Sequence, residues 1–156
     1  MNKQILLCFS SGGHFTQMQE LISSLSENSF IIISEQAPDI IEFTKNTDIK
    51  VLLLPKVVSN RFIFLISNIP YLFHIFHIVN KSNLFISTGG ITSVIPGIIS
   101  FLCRKKIIFI ETIAKHNDLT ITGKIFYMIA DKFYVQSQNL AKIYKKSIYV
   151  GTLYRL

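Results

Sequence analysis

With 156 residues, the chain is long enough to bury a hydrophobic core and short enough for one domain. An apolar share of 49% against 16% charged residues excludes a disordered chain, and two cysteines exclude a disulfide framework or a cysteine-rich zinc site. A formal charge of +7 with a mean hydropathy of +0.42 points away from acidic partners and toward an anionic membrane surface or phosphate-bearing ligands.

The first element is the apolar run "ILLCF" (5–9), which reads as a buried strand. It breaks at Ser10, too short for a signal-peptide core and without a small-residue cleavage site, so a cytoplasmic protein is expected. Cys8 here, and Cys103 in a later run, are expected core fillers. The run turns through "SSGGH" (10–14) into a helix over about 14–26. Gly12 and Gly13 let a ligand approach the main chain, and the helix start presents free N–H groups and a positive dipole end. These features, with Ser11 as a donor, make a candidate phosphate or diphosphate site. His14 at its mouth is a candidate base for a hydroxyl proton. The plainer reading is a tight turn followed by a solvated histidine.

A second strand, "FIII" (30–33), ends near Glu35, where a dinucleotide fold places its ribose-binding acid, but the third glycine of that fingerprint is missing. A helix over 38–46 and the strand "VLLL" (51–54) follow. The stretch 61–80 is the most apolar of the chain and approaches the length of a bilayer span. Pro70 in its middle argues against a simple span, and Ser67, His74, His77 and Lys81 form a narrow polar stripe on an otherwise apolar helix over 62–80. Such a helix suits the membrane interface, with Phe64, Leu72 and Phe76 as its expected lipid contacts. Packing against the sheet or a partner chain is the alternative. No third ligand accompanies the two histidines, so no metal is expected.

The strand "LFIS" (84–87) leads into "STGGITSVIPG" (87–97), a second glycine pair flanked by hydroxyls, and a helix over 92–103. Thr88, Gly89, Gly90 and Ser93 are candidate substrate contacts facing the first loop across one cleft. The strand "IIFI" (107–110) ends at Glu111, which could bind a sugar hydroxyl, orient a histidine, cap a helix or pair with Lys115. A helix over 120–130, the strand "KFYV" (132–135), a helix over 137–145 and the strand "SIYV" (147–150) complete the chain. Basic residues such as Arg61, Arg104, Lys105 and Lys106 lie in the later two-thirds, with no nucleic-acid-binding motif beside them. Strand and helix alternate throughout, which predicts an α/β fold: a Rossmann-like, doubly wound parallel sheet of about seven strands in a single domain.

"SSGGH" after the first strand, "STGGITSVIPG" after the fourth, "FIET" after the fifth and a closing "VGTLYR" occur in one order over nearly the whole chain. This set resembles the N-terminal, acceptor-binding half of GT-B glycosyltransferases that make peptidoglycan lipid intermediates. It is more similar still to stand-alone half-enzymes: the membrane-anchoring subunit of the transferase that adds the second GlcNAc to dolichol diphosphate, and bacterial capsule and exopolysaccharide proteins. The resemblance implies that Gly12, Gly13, Gly89 and Gly90 face a lipid diphosphate, that His14 is a base or diphosphate contact, and that Glu111 lies near the acceptor sugar. It implies a separate catalytic subunit holding the UDP-sugar, a polyprenyl-diphosphate-linked saccharide acceptor, attachment to the cytoplasmic face of the cell membrane, and no cofactor. Two other readings stay open: a free-standing nucleotide- or dinucleotide-binding enzyme, and a purely structural membrane anchor.

Overall fold

The computed structural model describes residues 4–25, 29–56 and 60–153, without the side chains of residues 61 and 62. Arg61's side chain and the Tyr154–Arg155 end of "VGTLYR" therefore lie outside the described residues. Seven parallel strands form one sheet in the order β3-β2-β1-β4-β5-β6-β7. They are β1 (Gln4–Phe9), β2 (Ser29–Glu35), β3 (Lys50–Leu54), β4 (Leu84–Gly89), β5 (Lys106–Ile110), β6 (Lys132–Val135) and β7 (Ser147–Tyr149). All seven coincide with the apolar runs of the sequence to within two residues at either end. Continuous apolar runs suit strands covered on both faces, and β1 shows why. Its residues alternate between two cores, Leu6 and Cys8 in one, Ile5, Leu7 and Phe9 in the other. The edge strands β3 and β7 are less buried.

Among the described residues seven α-helices connect the strands: α1 (Gly13–Ser24), α2 (Pro38–Lys45), α3 (Arg61–Ser67), α4 (Leu72–Lys81), α5 (Val94–Leu102), α6 (Ile121–Ile129) and α7 (Gln138–Ile143). Phe15 and Met18 of α1 and Ile40 of α2 pack on one face of the sheet. Ile75 and Val79 of α4, Phe126 of α6 and Leu140 of α7 pack on the other, where the Phe126 ring stacks on Phe109 at 4.6 Å. The chain winds outward from β1 to β3, then crosses back to β4 beside β1. The strand order thus reverses between β1 and β4, and the loops after these two strands bound the crevice where α/β sheets bind ligands.

The single helix expected over 62–80 is instead two helices joined by a 3₁₀ turn, Ile69–Tyr71. Pro70 has no N–H to continue the ladder. Asn68 relieves the break by donating its side-chain amide to the Phe64 carbonyl at 2.7 Å. The stretch Ile63–Lys81 is apolar and long enough to cross a membrane by length and composition. One side of it is nevertheless tied to the domain: Phe64, Asn68, Ile75 and Val79 are buried. Phe64, at 1% exposure, is thus a core residue and not a lipid contact. The outward apolar side chains are Ile63, Ile66, Ile69, Leu72, Phe73 and Phe76, with Phe73 the most open at 77%.

Candidate functional site

At the β1/β4 crevice, backbone geometry comes first. Gly12, Gly89 and Gly90 all have positive φ, at 72°, 111° and 89°. A side chain at Gly90 would lie 2.0 Å from the Ser10 hydroxyl, so glycine is needed there both for conformation and for the close approach of the two loops. A side chain at Gly89 would meet the His14 ring at 2.8 Å. The loops are stitched together by Ser10 N–H donating to the Gly89 carbonyl at 3.2 Å, and by the Ser10 and Thr92 hydroxyls, 2.9 Å apart.

His14 is held by a reciprocal pair of bonds with Thr88. The Thr88 hydroxyl donates to the His14 carbonyl at 2.7 Å, and His14 Nδ1 lies 2.7 Å from the Thr88 carbonyl oxygen. A carbonyl only accepts, so Nδ1 carries the proton and Nε2 keeps its lone pair in the neutral ring. Burial pushes the His14 pKa below the usual histidine value, outweighing the Thr88 carbonyl and the Glu35 charge, which raise it. A neutral imidazole with a fixed tautomer, and with Nε2 unpaired among the described residues, is equipped to take a proton from a hydroxyl.

The donors of the first glycine loop are only partly open to an anion. Two of the loop's amides are already occupied: Ser11 N–H donates to Glu35 Oε1 at 2.8 Å and Gly12 N–H to Asp39 Oδ2 at 2.9 Å. Glu35 is therefore a buried brace for the loop, its other oxygen 3.5 Å from the Thr92 hydroxyl, and is not held out toward a ribose. No side chain caps α1, and its ladder opens with Thr16 N–H on the Gly12 carbonyl, so among the described residues the Gly13, His14 and Phe15 amides at its start are the donors left for a ligand. Thr88 and Ser93, expected to contact substrate, are fully buried. Ser93 is spent on the Gly89 carbonyl at 3.0 Å and on the Ser87 hydroxyl at 2.8 Å. These hydroxyls shape the crevice from behind.

Glu111 stands at the end of β5, fully buried. Its carboxylate accepts from the Thr112 amide at 2.9 Å, the Thr120 amide at 3.0 Å and the Thr120 hydroxyl at 3.1 Å. Thr120 in turn caps α6 by accepting from Gly123 N–H at 2.8 Å. A side chain at Gly123 would come within 1.9 Å of Glu111 Oε2, so the carboxylate fills the space against that helix. Burial raises the Glu111 pKa despite these donors. His14 is oriented by Thr88, and Glu111 by its own loop; no hydrogen bond joins the two. Gln17, one turn along α1 from His14, bridges instead toward this loop, 3.5 Å from the Thr112 hydroxyl.

The residues that sequence reasoning did not assign are Asp39 and Gln17; Thr92, expected to offer a hydroxyl in the second loop, is spent on Ser10. Asp39 carried a signal, an acid in the first turn of α2, but nothing local shows that it reaches Gly12. Among the described residues no group of three potential metal ligands is present. Exposed apolar side chains beyond α3 and α4 include Phe101 and Leu102 on α5, Met128 on α6, and Tyr149 and Val150 at the β7 edge.

Comparison with known proteins adds a family and a fold. The family model described as "Oligosaccharide biosynthesis protein Alg14 like" matches residues 39–153. The chain is 26% identical to the UDP-N-acetylglucosamine transferase subunit ALG14 of Debaryomyces hansenii, over 96% of this chain and 75% of that protein. It is 29% identical to the subunit of the same name from Schizosaccharomyces pombe, over 96% of this chain and 82% of that one. Among solved structures, MurG of Acinetobacter baumannii superposes with a TM-score of 0.73 at 11% identity, over 99% of this chain and 47% of MurG. MnaA of S. aureus, solved with UDP, gives 0.72 at 15%, over 97% of this chain and 45% of MnaA. The chain thus spans about half the length of these structures, and the likeness shows a Rossmann-like fold shared with GT-B enzymes.

Proposed function

The chain belongs to the family of Alg14-like oligosaccharide biosynthesis proteins, and from that premise we propose that it is the acceptor-binding, membrane-associating subunit of a heteromeric glycosyltransferase. A partner subunit binds UDP-N-acetylglucosamine, as the names of the fungal relatives suggest. This chain presents a polyprenyl-diphosphate-linked saccharide. The observation that carries the reading is His14, fixed by Thr88 between the two glycine loops at the strand-order reversal, with Nε2 unpaired among the described residues.

In the proposed reaction, an acceptor hydroxyl attacks the anomeric carbon of the donor sugar, the carbon–oxygen bond to UDP breaks, and His14 Nε2 takes the hydroxyl proton. The diphosphate of the carrier sits at the start of α1, on the Gly13 and His14 amides and the Ser11 hydroxyl, where the helix dipole favours negative charge. Glu35 and Asp39 hold the loop open for it by occupying the Ser11 and Gly12 amides. Glu111 positions the loop over the crevice through Thr112 and Thr120. Alone, the chain binds acceptor and membrane and transfers little or nothing. The polymer served, a capsule or exopolysaccharide on an undecaprenyl carrier, is proposed from the sequence resemblance; the relatives' names speak to the sugar nucleotide only.

The protein is proposed to lie on the cytoplasmic face of the membrane, α3 and α4 down, since one side of that segment is buried against the sheet and the other is apolar and open. The test is reconstitution of the subunit pair on vesicles with a lipid-linked acceptor. Transfer should need both chains, and Leu72→Ser with Phe73→Ser and Phe76→Ser should release this chain from the vesicles while leaving it folded. Transfer by the partner alone would overturn the reading. A structural anchor without a chemical role has one observation in its favour, the two carboxylates at the glycine loop; it requires His14→Ala to leave turnover intact.

A further inference from the structure

The most polar feature of the membrane-facing segment is left unused by that reading. Around α4, Ile75 and Val79 point to the core, and Leu72, Phe73 and Phe76 point outward on one side. His74, His77 and Lys81, at spacings of three and four, fall together on the other side. His77 and Lys81 on that side lie beside Lys50 and Leu52 of β3, the edge of the sheet. Between α4 and the edge lies a cavity of about 380 Å³. Its apolar floor includes Ile31, Leu52 and Ile78, and Lys50, His77 and Lys81 stand around it. Among the described residues no carboxylate lines it.

Among the described residues, no carboxylate pairs with Lys50, His77 or Lys81. Among the described residues, the ion pair present joins Lys124 to Asp118 at the far side of the sheet. Nor is Lys81 needed to close the helix. The last carbonyls of α4 are taken by the Ser82 hydroxyl on Ile78, the Ser82 amide on Val79 and the Lys105 ammonium on Asn80. Two lysines and a histidine therefore border one groove over an apolar floor, without a carboxylate among its described lining residues, next to the helix whose other exposed side is apolar.

We propose that the groove between α4 and the β3 edge binds one anionic phospholipid, its phosphate on Lys50, His77 and Lys81 and the start of an acyl chain on Ile31, Leu52 and Ile78. The occupant is argued from charge complementarity and from continuity with Phe73 and Phe76 around the same helix. This rests on the membrane reading above and deepens it: the surface is selective for anionic lipid and fixes how the domain is rotated about α4, so that the β1/β4 crevice keeps one orientation to the bilayer.

The test uses the intact chain with monomeric dihexanoyl phosphatidylglycerol, followed by calorimetry. Saturable binding is expected, with dihexanoyl phosphatidylcholine and inorganic phosphate each roughly tenfold weaker or worse. Lys50→Gln with Lys81→Gln should weaken phosphatidylglycerol binding roughly tenfold, since a basic residue near an anionic surface contributes several-fold. Lys132→Gln with Lys142→Gln removes the same charge elsewhere and should change nothing. Equal loss in both pairs would show diffuse attraction, equal affinity for inorganic phosphate would show a free-anion site, and a flat titration would assign the groove to something other than lipid; each overturns the proposal. Sedimentation with neutral phosphatidylcholine vesicles separates the two readings. If the groove fails and the membrane reading holds, vesicle binding persists and depends on Leu72, Phe73 and Phe76. If the membrane reading fails and the groove holds, vesicles do not bind but the short-chain lipid does.

Discussion

The Thr88 carbonyl on β4 holds His14 by one ring nitrogen and leaves the other without a partner among the described residues, whereas the loop after β5 closes around Glu111 and uses both carboxylate oxygens. Both groups stand at carboxyl ends of central strands, and burial shifts both away from their charged forms. The partners differ in kind. Thr88 offers His14 a single carbonyl, which fixes the tautomer and spends only Nδ1. Thr112 and Thr120 offer Glu111 three donors and leave a ligand little to compete for. A titratable residue at a strand end is therefore equipped for chemistry by what its surroundings leave open, and burial or pKa direction alone does not separate a base from a brace.

Replacing His14 tests the open side of this contrast and should give the largest effect. In the reconstituted pair, His14→Ala is expected to lower kcat by about 10²–10⁴, the usual contribution of a general base. The urea midpoint should move little, because the lost bond to Thr88 is partly exposed. Glu111→Ala should do the reverse. Removing the acceptor of three buried donors costs roughly 3 kcal/mol, read as a lower urea midpoint, because each orphaned donor carries its desolvation penalty. Turnover measured well below the unfolding transition should fall far less than with His14→Ala. A Glu111→Ala protein of unchanged stability and abolished turnover would erase the distinction between the two loops.

The sequence exposes one half of this contrast and hides the other. Short apolar runs mark every strand, because a strand buried on both faces has no polar face to interrupt the run, and that regularity yields the sheet. Two glycine pairs after two strands mark the crevice, because only glycine tolerates φ near 90° at Gly90 with Ser10 so close. Who bonds whom is not local. Glu35 and Asp39 reach back 24 and 27 positions to Ser11 and Gly12, and Thr88 meets His14 across 74; only the strand order brings these together. The break at Pro70 is legible from the missing N–H, but which side of the broken helix meets the sheet depends on the crossover. Phe64 therefore reads like Phe73 in the sequence while lying on the opposite side.

The crevice itself can be strained from behind. Gly90→Ala puts a methyl against Ser10 and demands a backbone conformation that only glycine holds easily. The expected cost is about 2 kcal/mol from backbone strain of this kind. Moving Ser10 also disturbs the loop that carries His14, so kcat should fall with stability. Glu111→Ala should lower the midpoint without shifting the His14 ring signals in an NMR spectrum; Gly90→Ala should shift both. Unchanged ring signals in Gly90→Ala would mean that the two glycine loops are not mechanically coupled.

The smallest effect is the most diagnostic, because the two groups move stability in opposite directions with pH. The folded-state pKa of His14 is depressed, so the unfolded chain binds more protons as the pH falls through 6.5. Its contribution to stability is present above pH 6.5 and is lost as the pH falls toward the folded value. The folded-state pKa of Glu111 is raised above 4.5, so the folded chain is the one that binds more protons there. Its contribution is fully present below pH 4.5 and is lost as the pH rises through the folded value. Subtracting the urea midpoints of His14→Ala from those of the wild type should give a difference that grows from pH 5 to pH 7. The same subtraction with Glu111→Ala should give one that shrinks as the pH rises from 4.5. If both differences run the same way, burial does not set these two groups apart from solvent as the geometry requires, and the contrast between an available imidazole and an enclosed carboxylate fails at its electrostatic root.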